Sequence, residues 1–187
     1  MAKRQTSRRR IPPYVVLIGF KGAGKTTVGR FLAELIERPF QDLDILLEAT
    51  YIERYGDQRG FREIFRERGE SFFRDLERQC LATALSGIPK VLALGGGTPL
   101  SCRENIEAAK KNCAVGLLYV RPQVLLHRIL EDGVPAFFDP ADPEGSFRRL
   151  FRQRMNKYRS LADHMVDNTD TPPQETAQVL AKMLRGG

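Results

Sequence analysis

The sequence predicts an α/β fold of three layers, in which helices cover both faces of a central, mostly five-stranded parallel sheet. After Pro12 and Pro13, short apolar runs alternate with amphipathic stretches, which is the pattern of successive βα units. The length of 187 residues is typical of one globular domain. A content of 42% hydrophobic and 28% charged residues fits a single core. We therefore expect one domain built around one parallel sheet.

The first half of the chain supplies two strands and four helical stretches. Residues 15–19 form a short apolar run, which predicts a buried strand. Residues 25–36 repeat apolar side chains every three or four positions, which predicts a helix that Pro39 ends. The other predicted elements of this half are a short strand near Phe40, a helix that follows Asp42 and Asp44 and ends near Tyr55, and helical patterns over 61–68 and 70–86.

The second half supplies three strands and four helices. Ser101 is a residue type preferred at helix N-caps, so we expect a helix to begin there, and Pro122 suits the first turn of the next helix. Residues 132–145 are rich in Pro, Gly, Asp and Phe without a period, which predicts a mobile surface lid. The other predicted elements are strands at 91–94, 114–120 and 165–166, a basic helix that ends near Arg159, and a closing helix after Pro173.

The net charge of +7 is concentrated at the N-terminus. The first ten positions hold five basic residues and no acidic residue, whereas the rest of the chain carries 25 basic and 23 acidic side chains. We therefore interpret residues 1–13 as a basic, disordered tail and residues 14–187 as the folded domain. The near-neutral balance of the domain argues against nucleic acid as a partner.

The apolar runs and the cysteines indicate the expected cellular compartment. No apolar run has the length of a membrane span, and the N-terminus lacks a secretory signal, so we expect a cytoplasmic protein with no membrane partner. Cys80, Cys102 and Cys113 have no spacing typical of metal ligands or of a disulfide framework, so we expect buried, reduced thiols. We also expect a monomer.

Residues 19–26 have the sequence GFKGAGKT, which matches the phosphate-binding loop or P-loop, G-x-x-x-x-G-K-[ST]. The match lies between a predicted strand and an amphipathic helix, which is the context that the motif requires. We expect its backbone N–H groups to surround the β-phosphate of ATP, Lys25 to reach the β- and γ-phosphates, and the Thr26 hydroxyl to bind Mg²⁺. The predicted nucleotide-binding residues are Gly22, Ala23, Gly24, Lys25, Thr26 and Thr27.

The acceptor site is expected at the carboxyl ends of the strands, where ligands bind in open parallel sheets. Asp42 and Asp44 follow the second predicted strand, and the three glycines 95–97 follow the third. Taken singly, such residues have ordinary structural roles in a helix cap, a turn or a surface ion pair. The other candidates are charged side chains on predicted helices, namely Arg74, Glu77 and Arg154.

Together these motifs resemble the shikimate kinase family, and the resemblance runs from about Tyr14 to the end of the chain. The pairing of Phe73-Arg74 with the three glycines is the feature that best separates this family from other P-loop kinases. The resemblance implies a three-layer P-loop kinase fold with a mobile lid. The matching motifs are the P-loop, Asp42 and Asp44, Ile64-Phe65, Gly69-Glu70, Phe73-Arg74, Glu77, Gly95-Gly96-Gly97, and Arg154 with Tyr158.

The resemblance implies transfer of phosphate from ATP to the 3-hydroxyl of shikimate, a step toward the aromatic amino acids. It implies that Asp44 orients this hydroxyl and takes its proton, and that Asp42 holds Mg²⁺ with Thr26, directly or through water. Guanidinium groups suit the single carboxylate of shikimate. The implied roles are catalysis for Lys25 and Asp44, shikimate binding for Asp44, Arg74, Gly96, Gly97 and Arg154, orientation of Arg74 for Glu77, and adenine stacking for Arg128.

The lid departs from the family pattern. Shikimate kinases usually carry an arginine immediately before a proline in the lid, whereas this chain has Val134 before Pro135. Because that arginine reaches the transferring phosphates, its loss either slows the reaction or is compensated. We expect compensation by an arginine of the next helix, although these side chains also fit a solvated helix face: Arg148, Arg149 and Arg152.

Two other functions fit the altered lid. One is a related kinase that acts on another small anionic acceptor. The other is a nucleotide-binding regulatory protein that keeps the fold and uses its basic tail to contact nucleic acid. Retention of Asp44, Arg74 and Arg154 argues against a wholly different acceptor site.

Overall fold

A computed structural model describes residues 10–131, 133–135 and 137–186 of the chain. The strands are β1 (Tyr14–Ile18), β2 (Phe40–Asp42), β3 (Lys90–Ala93), β4 (Cys113–Tyr119) and β5 (His164–Asp167). They form one sheet in the order β2-β3-β1-β4-β5, and each neighbouring pair is parallel. The predicted α/β fold with a five-stranded parallel sheet is therefore confirmed.

Helices connect the strands and cover the sheet. β1 lies at the centre of the sheet, and Val15 to Ile18 are fully buried because both faces are covered. The helices of the described residues are α1 (Lys25–Leu35), α2 (Leu43–Tyr55), α3 (Phe61–Ser86), α4 (Thr98–Ser101), α5 (Arg103–Ala109), α6 (Pro122–Glu131), α7 (Pro143–Leu161) and α8 (Pro173–Leu184).

Helix α3 is broken at Gly69. This residue has φ +82° and ψ 166°, a conformation outside the helical region that favours glycine. The break divides α3 into the two helical stretches predicted for residues 61–68 and 70–86. The second stretch carries Arg74 and Glu77 toward the carboxyl ends of the strands.

The predicted N-cap at Ser101 was wrong. Ser101 is the last residue of α4, and Cys102 occupies the N-cap of α5 without a side-chain cap. The Ser101 hydroxyl instead donates a hydrogen bond of 2.6 Å to Oε2 of Glu77. The Ser101 hydroxyl therefore bonds to a carboxylate that is distant in sequence, and it does not form the helix cap that the sequence pattern suggested.

Helix α7 begins inside the segment predicted as a lid, residues 132–145. Asp142 caps this helix, since its Oδ1 accepts a hydrogen bond of 2.8 Å from the Gly145 N–H. Residues 143–145 are therefore helical. Two residues of the predicted lid, Asp132 and Ala136, lie outside the described residues.

The start of the described chain is fixed to the end of α1. Residues 1–9 of the predicted tail, 1–13, lie outside the described residues. The Arg38 guanidinium donates hydrogen bonds of 2.9 Å to the carbonyl oxygens of Ile11 and Pro13, so the contacts of the folded domain begin before residue 14.

The three cysteines are buried, as predicted. The helices of the described chain include none with the length and apolar character that crossing a bilayer requires.

Candidate active site

The P-loop connects β1 to α1. Gly24, directly before the helix, has φ +83°, a left-handed conformation that residues with side chains rarely adopt. Within the described residues, no side chain caps the first turn of α1, which leaves its backbone N–H groups available to a ligand. Such N–H groups and the positive end of the helix dipole form an anion-binding site. The loop therefore has the geometry predicted for phosphate binding.

Lys25 folds back over the P-loop. Its Nζ donates hydrogen bonds to the carbonyl oxygens of Gly19 at 3.0 Å and of Phe20 at 2.9 Å. Burial lowers the pKa of Lys25 to about 8, and the nearby carboxylates of Asp44 and Asp42 oppose this shift. The ammonium group is therefore held at the P-loop beside two carboxylates.

The side chains of Thr26, in α1, and Asp42, at the end of β2, lie next to each other. The Thr26 hydroxyl donates a hydrogen bond of 2.9 Å to Oδ2 of Asp42. The second oxygen of Asp42 accepts a hydrogen bond of 3.0 Å from the Asp44 N–H and caps α2. One oxygen of Asp42 therefore forms the helix cap, and the other lies beside the hydroxyl of Thr26. Metal binding by Asp42 stays a prediction.

Asp44 lies against the glycine loop that follows β3. A Cβ atom placed on Gly95 would lie 2.8 Å from Oδ1 of Asp44, so only glycine allows this close approach. Burial raises the pKa of Asp44 to about 6, and the Asp42 carboxylate contributes to the rise. Asp44 is therefore a carboxyl group that changes its charge near neutral pH, which suits a general base.

Arg74 is held by a buried carboxylate. Glu77 is only 2% exposed and accepts hydrogen bonds from Arg74 Nη1 at 2.9 Å, the Thr98 hydroxyl at 2.5 Å and the Ser101 hydroxyl at 2.6 Å. A Cβ atom placed on Gly97 would lie 3.1 Å from both terminal nitrogens of Arg74. The Arg74 guanidinium therefore lies over the glycine loop, in an orientation fixed from α3 and α4.

Arg154 approaches the same loop from α7. A Cβ atom placed on Gly96 would lie 3.3 Å from Nη1 of Arg154 and 3.6 Å from the Tyr158 hydroxyl. The guanidinium carbon lies 5.3 Å from the ring centroid of Phe20 and 5.9 Å from that of Phe137. Its Nε is buried and lacks a hydrogen-bond partner within the described chain. Arg154 is thus positioned between Phe20 of the P-loop and Phe137 of the predicted lid, with one donor unpaired within the described residues.

Comparisons with known proteins identify the family of this chain. A family model described as shikimate kinase matches residues 21–185. The shikimate kinase of Syntrophus aciditrophicus is 34% identical over 184 residues and is matched over 91% of this chain and 89% of its own length. The shikimate kinase of Salinispora tropica is 37% identical over 172 residues, with corresponding shares of 92% and 98%. The chain belongs to the shikimate kinase family.

A solved structure supports the same assignment. Shikimate kinase from Acinetobacter baumannii in complex with shikimate has a TM-score of 0.79 and 32% identity to this chain, and the match covers 93% of each chain. The resemblance predicted from the motifs is confirmed. Of the features on which family membership was predicted, Asp44, Arg74, Arg154 and Tyr158 lie around the three glycines 95–97 that follow β3.

Arg128 and Thr27 were also predicted to bind the nucleotide. Arg128 donates a hydrogen bond of 2.7 Å from Nη2 to the carbonyl oxygen of Thr169, so its guanidinium supports the segment after β5. Adenine stacking by Arg128 stays a prediction. Thr27 is the third residue of α1 and its side chain is exposed, so its contact with phosphate would be made by the backbone N–H.

The arginines expected to replace the missing lid arginine lie elsewhere on α7. Arg148 forms an ion pair of 3.3 Å with Glu144, and Arg149 forms one of 3.3 Å with Asp142, in both cases near the start of the helix. Arg152 lies in a cleft of about 340 Å³ that Tyr119 and other residues of β4, α6 and α7 line. The structure does not bring these side chains together with Arg154 at Gly96, and the expected compensation stays untested.

Sequence reasoning missed Asn168, which follows β5. Its side chain is buried and donates a hydrogen bond of 2.9 Å to the carbonyl oxygen of Ala23 in the P-loop. Its Oδ1 accepts a hydrogen bond of 2.7 Å from the Thr176 hydroxyl. The rule that ligands bind beyond the carboxyl ends of the strands, which pointed to Asp44 and Gly96, would have indicated Asn168 if applied to the last strand.

Proposed function

We propose that the protein transfers the γ-phosphoryl group of ATP to the 3-hydroxyl of shikimate. The observation that carries this proposal is the convergence of Asp44, Arg74 and Arg154 on three successive glycines opposite the P-loop. One carboxylate and two guanidinium groups around an open backbone surface suit a polyhydroxylated acid such as shikimate. Membership of the shikimate kinase family supports the same donor and acceptor.

The P-loop supplies the donor side. The N–H groups at the start of α1 bind the β-phosphate, and Lys25 moves from its carbonyl contacts to the β- and γ-phosphates. Phosphoryl transfer depends mainly on positioning and on neutralising charge, so the protein needs no covalent intermediate. Lys25 is therefore a catalytic residue that stabilises the phosphates during transfer.

Thr26 and Asp42 fit a Mg²⁺ site. They contribute a hydroxyl and a carboxylate oxygen 2.9 Å apart, and oxygen donors of this kind suit Mg²⁺. The described residues contain no cluster of three or more His, Cys, Asp or Glu that would hold a metal ion alone, which fits an ion that also binds substrate phosphates. When bound there, Mg²⁺ would neutralise charge on the β- and γ-phosphates. Thr26 and Asp42 would keep it beside the P-loop.

The glycine loop supplies the acceptor side. Arg74 and Arg154 bind the shikimate carboxylate, and the backbone of Gly96 and Gly97 lies against the ring. Asp44 accepts the proton of the 3-hydroxyl while that oxygen bonds to the γ-phosphorus and the bond from phosphorus to the β–γ bridging oxygen breaks. The products are ADP and shikimate 3-phosphate.

We propose further that the enzyme is a cytoplasmic monomer and that the described part of the predicted lid (132–145) that precedes α7, residues 133–135 and 137–142, acts as a lid. These proposals rest on the sequence. The short apolar runs favour the cytoplasm, the near-neutral charge of the domain argues against nucleic acid as a partner, and a segment rich in Pro, Gly and Asp favours a lid. Light scattering of the purified protein would test the monomer. Cell fractionation would test the location.

An ADP-release assay with shikimate, gluconate and nucleoside monophosphates tests the function. We expect saturable turnover with shikimate, and we expect Arg154→Ala to raise the KM for shikimate at least about tenfold because one charged hydrogen-bond donor is lost. The matched control is Arg159→Ala, which changes an exposed arginine of the same helix. It should leave the KM for shikimate and the KM for ATP unchanged. Turnover with another acceptor and not with shikimate would contradict the proposal.

The lid offers a test by gain of activity. Val134 is 49% exposed at the place of the missing arginine, and Arg148 and Arg149 are paired with acidic residues of their own region. If no arginine of α7 replaces the missing one, Val134→Arg should raise kcat about tenfold or more with little change in the shikimate KM, since the added charge acts on the transferring phosphates.

The control for this substitution is Val134→Gln, which adds length and polarity without charge. It should leave kcat near the wild-type value. If Val134→Arg also leaves kcat unchanged, another cation already supplies the charge. Alanine substitutions at Arg148, Arg149 and Arg152 would then identify or exclude the arginines first expected to do so.

A further inference from the structure

Asn168 links the end of β5 to the P-loop. Its Nδ2 donates a hydrogen bond of 2.9 Å to the Ala23 carbonyl oxygen, and its Oδ1 accepts one of 2.7 Å from the Thr176 hydroxyl of α8. Its own N–H donates a bond of 2.7 Å to the Tyr119 carbonyl oxygen. Asn168 is 4% exposed and Thr176 is fully buried. The orientation of the Asn168 amide is therefore fixed from both sides.

The bond to Ala23 fixes the direction of the next N–H group. The carbonyl of Ala23 and the N–H of Gly24 belong to one planar trans peptide, in which the oxygen and the hydrogen point to opposite sides. When Asn168 holds the carbonyl oxygen on the side of β5, the Gly24 N–H points to the other side of the loop. That N–H then joins those of the first turn of α1, which no side chain caps in the described structure.

The peptide between Ala23 and Gly24 needs such a restraint. Glycine adopts conformations of positive and negative φ with similar ease, so the peptide before Gly24 is easily rotated. A rotated peptide would direct the Ala23 carbonyl oxygen, which is partly negative, at the phosphates of ATP. Asn168 lies directly against this peptide, since a Cβ atom on Gly24 would be 2.7 Å from Nδ2.

The segment that carries Asn168 is itself held by α6. Arg128 Nη2 donates a hydrogen bond of 2.7 Å to the Thr169 carbonyl oxygen, and Nη1 lies 3.5 Å from the Asn168 carbonyl oxygen. The Thr169 hydroxyl accepts a bond of 3.0 Å from the Arg121 N–H. Asn168 is therefore a fixed point against which the more conformationally free P-loop is positioned.

We propose that Asn168 is a positioning residue for nucleotide binding, which holds the Ala23–Gly24 peptide with its N–H toward the β-phosphate. This role rests on the proposed use of ATP at the P-loop. In this role Asn168 makes no contact with the acceptor, and it acts on the phosphates only through the backbone of the P-loop. Its loss should therefore weaken ATP and ADP binding far more than shikimate binding.

The test uses two substitutions. Asn168→Asp keeps the shape and the acceptor for Thr176 but removes the donor to Ala23, and Asn168→Leu removes both hydrogen bonds without adding charge. We expect both variants to bind ADP at least about tenfold more weakly by calorimetry, because a bond from a backbone donor to a charged phosphate is lost. We expect both to raise the KM for ATP and to leave the shikimate KM within about twofold of wild type.

The control is Val166→Ala, a core truncation in β5, the strand that Asn168 follows, which should lower Tm but leave ADP affinity unchanged. A purely structural role for Asn168 predicts a lower Tm with unchanged ADP affinity in both variants, and that result would overturn the inference. Weaker ADP binding by Asn168→Asp alone would also overturn it, because added negative charge would then be the cause. ADP affinity is measured without an acceptor, so failure of the shikimate assay leaves this test intact.

Discussion

Replacement of Lys25 by alanine is expected to lower kcat by at least about 10³-fold, because the substitution removes the cation nearest to the γ-phosphate. The fold should persist. The hydrogen bonds of Lys25 Nζ within the described residues go to the carbonyl oxygens of Gly19 and Phe20 in the loop, and Lys25 is not one of the buried apolar residues that form the core. Single-turnover measurements at saturating ATP and shikimate would test the rate.

The stability of this variant gives an independent check. Burial lowers the pKa of Lys25 from 10.5 to about 8, so the unfolded chain binds the proton more tightly than the folded protein. The charged lysine therefore costs stability at pH 7, and stability from this group rises as pH increases from 8 toward 10.5. Lys25→Ala should have an unchanged or higher Tm at pH 7. Lys182→Ala, an exposed change on α8, is the control, and turnover of Lys25→Ala within about tenfold of wild type would contradict the role.

Asp44→Asn is expected to lower kcat by about 10² to 10⁴-fold, because amide nitrogen and oxygen cannot take the proton of the acceptor hydroxyl. The pKa of Asp44 is raised to about 6, so in the wild-type enzyme kcat/KM for shikimate should fall as pH decreases below about 6. The variant should lose this acidic limb and keep a flat residual rate. Asp75→Asn, on the exposed face of α3, is the matched control.

The same substitution should stabilise the fold. Because the folded protein binds the Asp44 proton more tightly than the unfolded chain does, the favourable contribution of this group is present below its ordinary pKa of 3.8 and is lost as pH rises through 6. Asp44→Asn should therefore raise Tm at pH 7 and change it little at pH 3. A lower kcat with a higher Tm would separate a catalytic role from damage to the fold. An unchanged kcat would exclude Asp44 as the base.

The fold and the phosphate site were predictable because their signals are local. The P-loop is a contiguous motif between a strand and a helix, and parallel strands buried on both faces are apolar throughout. Asp42 and Asp44 were selected by the rule that ligands bind at the carboxyl ends of the strands, since Asp42 is the last residue of β2 and Asp44 lies in the first turn of α2. The break at Gly69 was visible as a glycine between two helical patterns.

The contacts that sequence reasoning missed are long-range. The hydrogen bond from Asn168 to Ala23 joins residues 145 positions apart, and no local pattern marks either partner. Ser101 has the composition of an N-cap, but its hydroxyl binds Glu77, which lies 24 positions earlier. Arg148, Arg149 and Arg152 were considered together because they are close in sequence, and the ion pairs of Arg148 with Glu144 and of Arg149 with Asp142 could likewise not be read from composition.

The buried carboxylate of Glu77 also constrains how this enzyme can evolve or be redesigned. Its oxygens accept from Arg74, Thr98 and Ser101 together, and a buried carboxylate that loses a donor is costly. A change of Arg74 alone, as a route to a new acceptor, would leave negative charge without its cation inside the protein. Mutational paths to altered acceptor specificity should therefore be epistatic, with substitutions in α3 tolerated only after or alongside changes in α4.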